Sequence, residues 1–143
     1  MSPYILILNG PNLNMLGYRE PEIYGRRTLD EIIDNLRNEF PDITLESMQS
    51  NHEGVLIDAI HNTMHDDDCL GIVLNAGAYA HTSLALADAI LSVHTPVVEV
   101  HLSNIAAREP IRHNSLIAPV CVGSVSGFGP ISYSLAIRAL LAR

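Results

Sequence analysis

The stretch TLDEIIDNLRNEFPDITLESM, from Thr28 to Met48, decides the fold because its hydrophobic period changes partway along. In the first part Leu29, Ile32, Ile33 and Leu36 recur at helical spacing and share one face. Thr28-Leu29-Asp30-Glu31 fits a capping box and Pro41 stops the run, so a helix is expected over Thr28–Phe40. The apolar run Ile43–Met48 that follows reads as a strand.

The same alternation extends in both directions. Short runs rich in Ile, Val and Leu at Tyr4–Leu8, Leu70–Leu74, Val97–Val100 and Ile117–Val122 predict further strands. Helical spacing over Gly54–His65, Ser83–Val93 and Pro130–Leu141 predicts the remaining helices. Strands alternating with helices imply an α/β fold, a parallel sheet covered on both faces. No repeat, low-complexity segment or linker interrupts the 143 residues, a length that suits one domain spanning 1–143.

Composition narrows the function. The chain is 48% hydrophobic, lacks Trp, and has no apolar run near the length of a membrane span. Its opening run follows no basic segment and leads into Asn9-Gly10-Pro11, which makes a poor signal peptide and a good first strand; the expected location is the cytoplasm. Cys69 and Cys121 lie in apolar stretches and read as inert buried thiols, against disulfide or thiolate-metal schemes. A formal charge of -8 disfavours nucleic acid and anionic membranes as partners, and a small anion would need a local basic pocket. All eight cationic side chains are Arg. Without Lys, Schiff-base chemistry and a Walker-type phosphate loop are excluded.

Polar residues gather where an open α/β sheet binds ligands, at the carboxyl ends of its strands. The first four strands end in Asn9-Gly10-Pro11-Asn12, Gln49-Ser50-Asn51-His52, Asn75-Ala76-Gly77 with His81 beyond, and Glu99-Val100-His101 running into Ser103. Two long connections, Gly10–Arg27 and Leu102–Ser115, are polar and rich in Arg, as functional loops often are. The first turn lacks the G-x-G-x-x-G of a dinucleotide site, and Asn stands where a receiver domain needs carboxylates.

These motifs together resemble the type II dehydroquinases. The resemblance rests on Leu8-Asn9-Gly10-Pro11-Asn12-Leu13-Asn14, Arg19-Glu20-Pro21 with Tyr24-Gly25, and Gln49-Ser50-Asn51-His52-Glu53-Gly54. It continues through Asn75-Ala76-Gly77-Ala78-Tyr79 with His81-Thr82-Ser83, and Glu99-Val100-His101 through Arg108 and Arg112-His113. It implies a flavodoxin-like three-layer sandwich with strand order 2-1-3-4-5, a homododecamer built as a tetramer of trimers, and no metal or organic cofactor. It also implies a 3-dehydroquinate dehydratase (a hydro-lyase acting by anti elimination through an enol or enolate), in the shikimate route to aromatic amino acids or in quinate breakdown. Departures from the family pattern include Pro110-Ile111 before Arg112 and Ser132 before Tyr133.

By resemblance Tyr24 is the base. A free phenol titrates near ~10, so the role needs positive charge beside it, which Arg19 and Arg108 can supply. Asn12 is the group that stabilises the enolate oxygen, directly or through water. His101 is the general acid, oriented or charged by Glu99 two residues earlier on the same strand face. The resemblance assigns binding of a small anionic substrate to Asn75, His81, Asp88, Leu102, Ser103 and Arg112, with Asp88 acting across a subunit interface. On residue type alone each has a plainer reading: a solvated loop Tyr and Arg, a turn Asn, a hydrogen-bonded strand-end His, a helix-surface Asp, and a Glu109 ion pair for Arg112. Leu16–Arg27, with Gly17 and Gly25 near its ends, reads as a lid.

Two other functions compete. One is a flavodoxin-like binding module without activity, consistent with the change around Pro110. The other is a metal-dependent hydrolase using His61 and His65, four apart on one expected helix, although a solvated helix end explains that pair too.

Overall fold

The computed structural model describes residues 2–143. Strands β1 (Tyr4–Asn9), β2 (Thr44–Gln49), β3 (Cys69–Asn75), β4 (Val97–His101) and β5 (Gly123–Ser126) form one sheet in the order β2-β1-β3-β4-β5. All four pairings are parallel. The order is the one implied by the resemblance, and the α/β class is the one predicted by the alternating periods.

Parallel strands need crossovers, and the helices supply them on both faces. Ile5 and Ile7 of β1 face one layer with α2 (Leu29–Glu39) and α5 (Ile131–Leu141), where Ile32, Leu36, Tyr133, Ile137 and Leu140 are buried. Leu6 and Leu8 face the other layer with α3 (Glu53–His61) and α4 (Leu84–Ser92), where Leu56, Ile60, Leu86 and Ile90 are buried. Alternate side chains of one strand thus feed two cores. The capping box at Thr28 forms in full and starts α2. Ser83 starts α4 by accepting from the Leu86 N–H.

Two expectations are corrected. Ile117–Val122 is not a strand: Ala118–Val120 is a 3-10 turn around Pro119, and β5 lies at Gly123–Ser126. Pro119 has no N–H for a ladder, while Ile117 is buried against α4. The edge strand needs little apolar sequence because only Val125 packs on the core. The helix expected to reach His65 ends at His61, where Thr63 Oγ1 donates to the Ile60 carbonyl and pairs with Thr95. His61 and His65 therefore do not share a helix.

The chain leaves β1 for β2 on one side and reaches β3 on the other, so the connection reverses between β1 and β3. Asn9 and Asn75, the last residues of those strands, are register partners. A crevice at such a switch point is where this architecture places ligands.

Candidate active site

The turn after β1 is built by its neighbours. Asn12 has left-handed backbone (φ 68°), and its N–H donates to Asn51 Oδ1 at 3.0 Å. Gln49 Nε2 donates to the Gly10 carbonyl and to Asn51 Oδ1, each at 3.1 Å. Tyr79 Oη donates to the Asn51 carbonyl at 2.9 Å. Gly10 is needed because a Cβ there would lie 2.5 Å from the Ala76 carbonyl oxygen, closer than any side chain tolerates. The polar clusters after β2 and β3 thus buttress the turn that carries Asn12.

The Gly10–Arg27 connection contains a helical turn, α1 (Pro21–Tyr24), started by Pro21 and left through Gly25 at φ 87°. It points Tyr24 back at the sheet. Arg108 Nη1 donates to the Tyr24 oxygen at 2.7 Å and Arg19 Nη2 does so at 3.3 Å. The two guanidinium carbons lie 5.1 Å and 4.5 Å from the Tyr24 ring centre. Arg108 also reaches Ser103 Oγ at 3.4 Å, so one side chain ties the Gly10–Arg27 connection to the β4 end.

His101 closes the opposite side. Its Nε2 lies 2.9 Å from Glu99 Oε2, and Glu99 is fully buried. Burial pushes the Glu99 carboxyl up, but donation from His101 and Ser115, the His101 charge and donation from Ser124 outweigh it, holding Glu99 below the ordinary carboxylate range. Ser115 Oγ accepts from the Ile117 and Ala118 N–H groups, which leaves its own proton for Glu99. Ser124 Oγ donates to the other Glu99 oxygen at 2.9 Å. With Glu99 ionised, His101 Nε2 carries a proton and Nδ1 is the nitrogen left for the cavity.

His81 stacks on His101 with ring centres 5.8 Å apart, and its Nδ1 donates to the Asn114 carbonyl at 2.8 Å. Asn75 lines the floor. Arg112 lines the wall, delivered by a 3-10 turn that Pro110 begins, with Nε 2.9 Å from Glu109. The Glu109 pair and a place in the cavity are therefore both true of Arg112. Leu102 is buried and Ser103 half-buried at the mouth, with the His101 and Leu102 carbonyls taken by the Gly127 and Gly129 N–H groups.

Asn12, Arg19, Tyr24, Asn75, His81, His101, Leu102, Ser103, Arg108 and Arg112 all border one crevice. Glu99 stands behind His101 instead of lining it. Asp88 is not brought in at all: it is exposed on α4, and its carbonyl accepts from Ser92 Oγ. Ser115, Ser124 and Tyr133 escaped sequence reasoning, since hydroxyl residues on a loop, an edge strand and a helix carry no local signal.

The crevice encloses about 540 Å³ including its open mouth. Its lining contains three Arg and two His but no carboxylate, so a chain of net charge -8 holds a locally cationic cavity. Such a cavity suits a small oxygen-rich anion, with a phenol and an imidazole as proton-transfer groups. No group of three or more His, Cys, Asp or Glu suited to a metal occurs among the described residues. No described helix is long and apolar enough to cross a membrane.

Comparison with known proteins places this arrangement. Residues 3–141 match the family described as dehydroquinase class II. The chain is 52% identical over 142 residues to 3-dehydroquinate dehydratase 1 of Agrobacterium fabrum, covering 98% of this chain and 97% of that one. It is 55% identical over 141 residues to the 3-dehydroquinate dehydratase of Gloeothece citriformis, covering 96% and 90%. The crystal structure of a type II dehydroquinase from Butyrivibrio crossotus superposes with a TM-score of 0.94 at 43% identity, covering 98% of each chain.

Proposed function

The chain belongs to the class II dehydroquinase family, and on that premise we propose that it dehydrates 3-dehydroquinate to 3-dehydroshikimate. The observation that carries the reading is the Tyr24 oxygen, met by guanidinium groups from two loops and facing the cavity that His101 also lines. Arg19 and Arg108 hold that oxygen and place positive charge beside it. Acting as the base, the Tyr24 oxygen removes the proton alpha to the substrate ketone, and the electron pair moves onto the ketone oxygen. Asn12 donates to the charge developing there, directly or through water. The beta carbon–oxygen bond then breaks by anti elimination, and the departing hydroxyl takes a proton from His101 and leaves as water. That proton comes from Nδ1, because Nε2 is committed to Glu99.

Arg112, Ser103, the Leu102 backbone, Asn75 and His81 hold the substrate carboxylate and hydroxyls. No proposed step uses a metal or organic cofactor. The lid from Leu16 to Arg27 closes over the bound anion and excludes water.

Asp88 acts from a neighbouring copy. Leu84 and Leu91, one turn to either side on α4, are each 67% exposed, an apolar face that a second copy can cover. A homododecamer assembled as a tetramer of trimers, working in the cytoplasm in the shikimate route or in quinate breakdown, fits this reading. Incubating the purified protein with 3-dehydroquinate and excess chelator tests it, because dehydration creates a conjugated enone. A steady rise in enone absorbance is expected; none from folded protein would sink the proposal.

A further inference from the structure

Below the crevice floor Tyr133, Asn9 and Asn75 form a polar cluster that the elimination does not use. Tyr133 and Asn9 are fully buried and Asn75 is 3% exposed. One backbone contact identifies which of its atoms donate and which accept. The Gly77 N–H lies 3.2 Å from one atom of the Asn75 amide, and since an N–H only donates, that atom is the oxygen. The atom 3.0 Å from the Tyr133 hydroxyl is therefore the nitrogen, and the hydroxyl accepts from it. The Tyr133 proton must point elsewhere, and the Asn9 atom 2.5 Å away that receives it is an oxygen. Burial raises the pKa of the Tyr133 phenol, so this proton is retained. Asn9 Nδ2 is left buried without a partner. Three apolar side chains would fill this space without stranding an amide, so filling space does not account for the cluster.

Resting on the dehydratase reading, we infer that Tyr133 is a positioning residue that locks the Asn75 amide so that it offers the cavity an N–H donor. Gly77 occupies the amide oxygen and Tyr133 one of the two N–H groups, leaving the second N–H for the cavity that Asn75 lines. That point on the floor then selects a substrate oxygen able to accept a hydrogen bond. A flipped amide would present a carbonyl oxygen and repel it. Asn9 acts at one remove: by holding the phenol proton it stops the hydroxyl from turning to donate to a flipped Asn75.

Tyr133→Phe keeps the ring and removes the hydroxyl, whereas Asn9→Ala keeps the hydroxyl and frees its proton. Initial rates of enone formation should show KM raised about tenfold in Tyr133→Phe, the size of one hydrogen bond, with kcat nearly unchanged. Asn9→Ala should raise KM by a smaller factor. On an Asn75→Ala background Tyr133→Phe should add nothing to KM, because the two act as one unit. A lowered Tm with unchanged KM, a fall confined to kcat, or additive effects on KM would overturn the inference. If Tyr133→Phe does not fold, Asn9→Ala decides alone: a raised KM supports the inference and an unchanged one overturns it. Wild-type turnover is read in the same assay. Its absence refutes the dehydratase reading and this inference with it, while its presence with unchanged KM in the variants refutes only the role of Tyr133.

Discussion

Arg108 Nη1 donates to the Tyr24 oxygen at 2.7 Å although 84 residues separate the two in sequence. The contact joins the two long loops across the crevice, and the same guanidinium reaches Ser103. Arg108→Ala should lower kcat/KM about 10²-fold or more, the range for weakening a base. Arg108→Lys should recover little, since a single ammonium cannot span both partners. Steady-state kinetics of the two variants decide this; full rescue by Lys would mean that only net charge matters.

Glu99 has three side-chain donors on two oxygens, and a glutamine can accept on only one of its two terminal atoms. Glu99→Gln should therefore force Ser124 to reverse its bond or leave a donor unpaired, and cost about 1–3 kcal/mol, along with much of the activity. Chemical denaturation measures the stability loss. A Gln variant as stable as wild type would show that the Glu99 contacts matter little.

The pH dependence of stability follows from the same group. Because folding lowers the Glu99 pKa, the unfolded chain binds its proton more readily. Its contribution is present at pH above the ordinary carboxylate range and is lost as pH falls through the lower folded-state value. Melting temperature should fall with acidification less steeply in Glu99→Gln than in wild type; parallel curves would contradict this.

Gly10→Ala places a Cβ against the Ala76 backbone, at 2.5 Å from its oxygen and 2.8 Å from its carbonyl carbon. Neither atom is a flexible side-chain end, so the turn carrying Asn12 must move. A stability loss of about 1–3 kcal/mol is expected, with a fall in kcat as Asn12 is displaced. An unchanged kcat would separate Asn12 placement from this turn.

Arg26 and Arg27 are exposed and Arg19 is half-buried in the segment that carries Tyr24. If that segment closes over substrate, trypsin should cut at these positions more slowly when product is bound. Equal cleavage rates with and without ligand would count against a lid.

The strand–helix alternation made the sheet legible, since β1, β3 and β4 are short runs rich in Ile, Val and Leu and β2, with Leu45 buried, follows directly on a helix of clear period. β5 was hidden because Gly123–Ser126 packs only Val125, while the more apolar Ile117–Val122 is bent by Pro119. Residues of the strand-end clusters border one crevice at the carboxyl edge of the sheet. Their division of labour was not legible, because Gln49 and Asn51 brace a turn while Asn75 faces the cavity, and nothing local separates one polar strand-end residue from another. Ser115 and Tyr133 meet Glu99 and Asn75, 16 and 58 residues away, through contacts that only the folded chain creates. Asp88, exposed on α4, shows the opposite limit: a residue assigned by family likeness that one chain alone leaves outside the crevice.

The most direct measurement compares enone formation from 3-dehydroquinate, with excess chelator, by wild-type protein and by Tyr24→Phe shown to be equally folded. Wild type should show sustained chelator-resistant turnover and the Phe variant a loss of about 10²–10⁴-fold, the scale of a positioned base. A Phe variant that turns over like wild type would mean that the Tyr24 oxygen, held between Arg19 and Arg108, does not remove the proton.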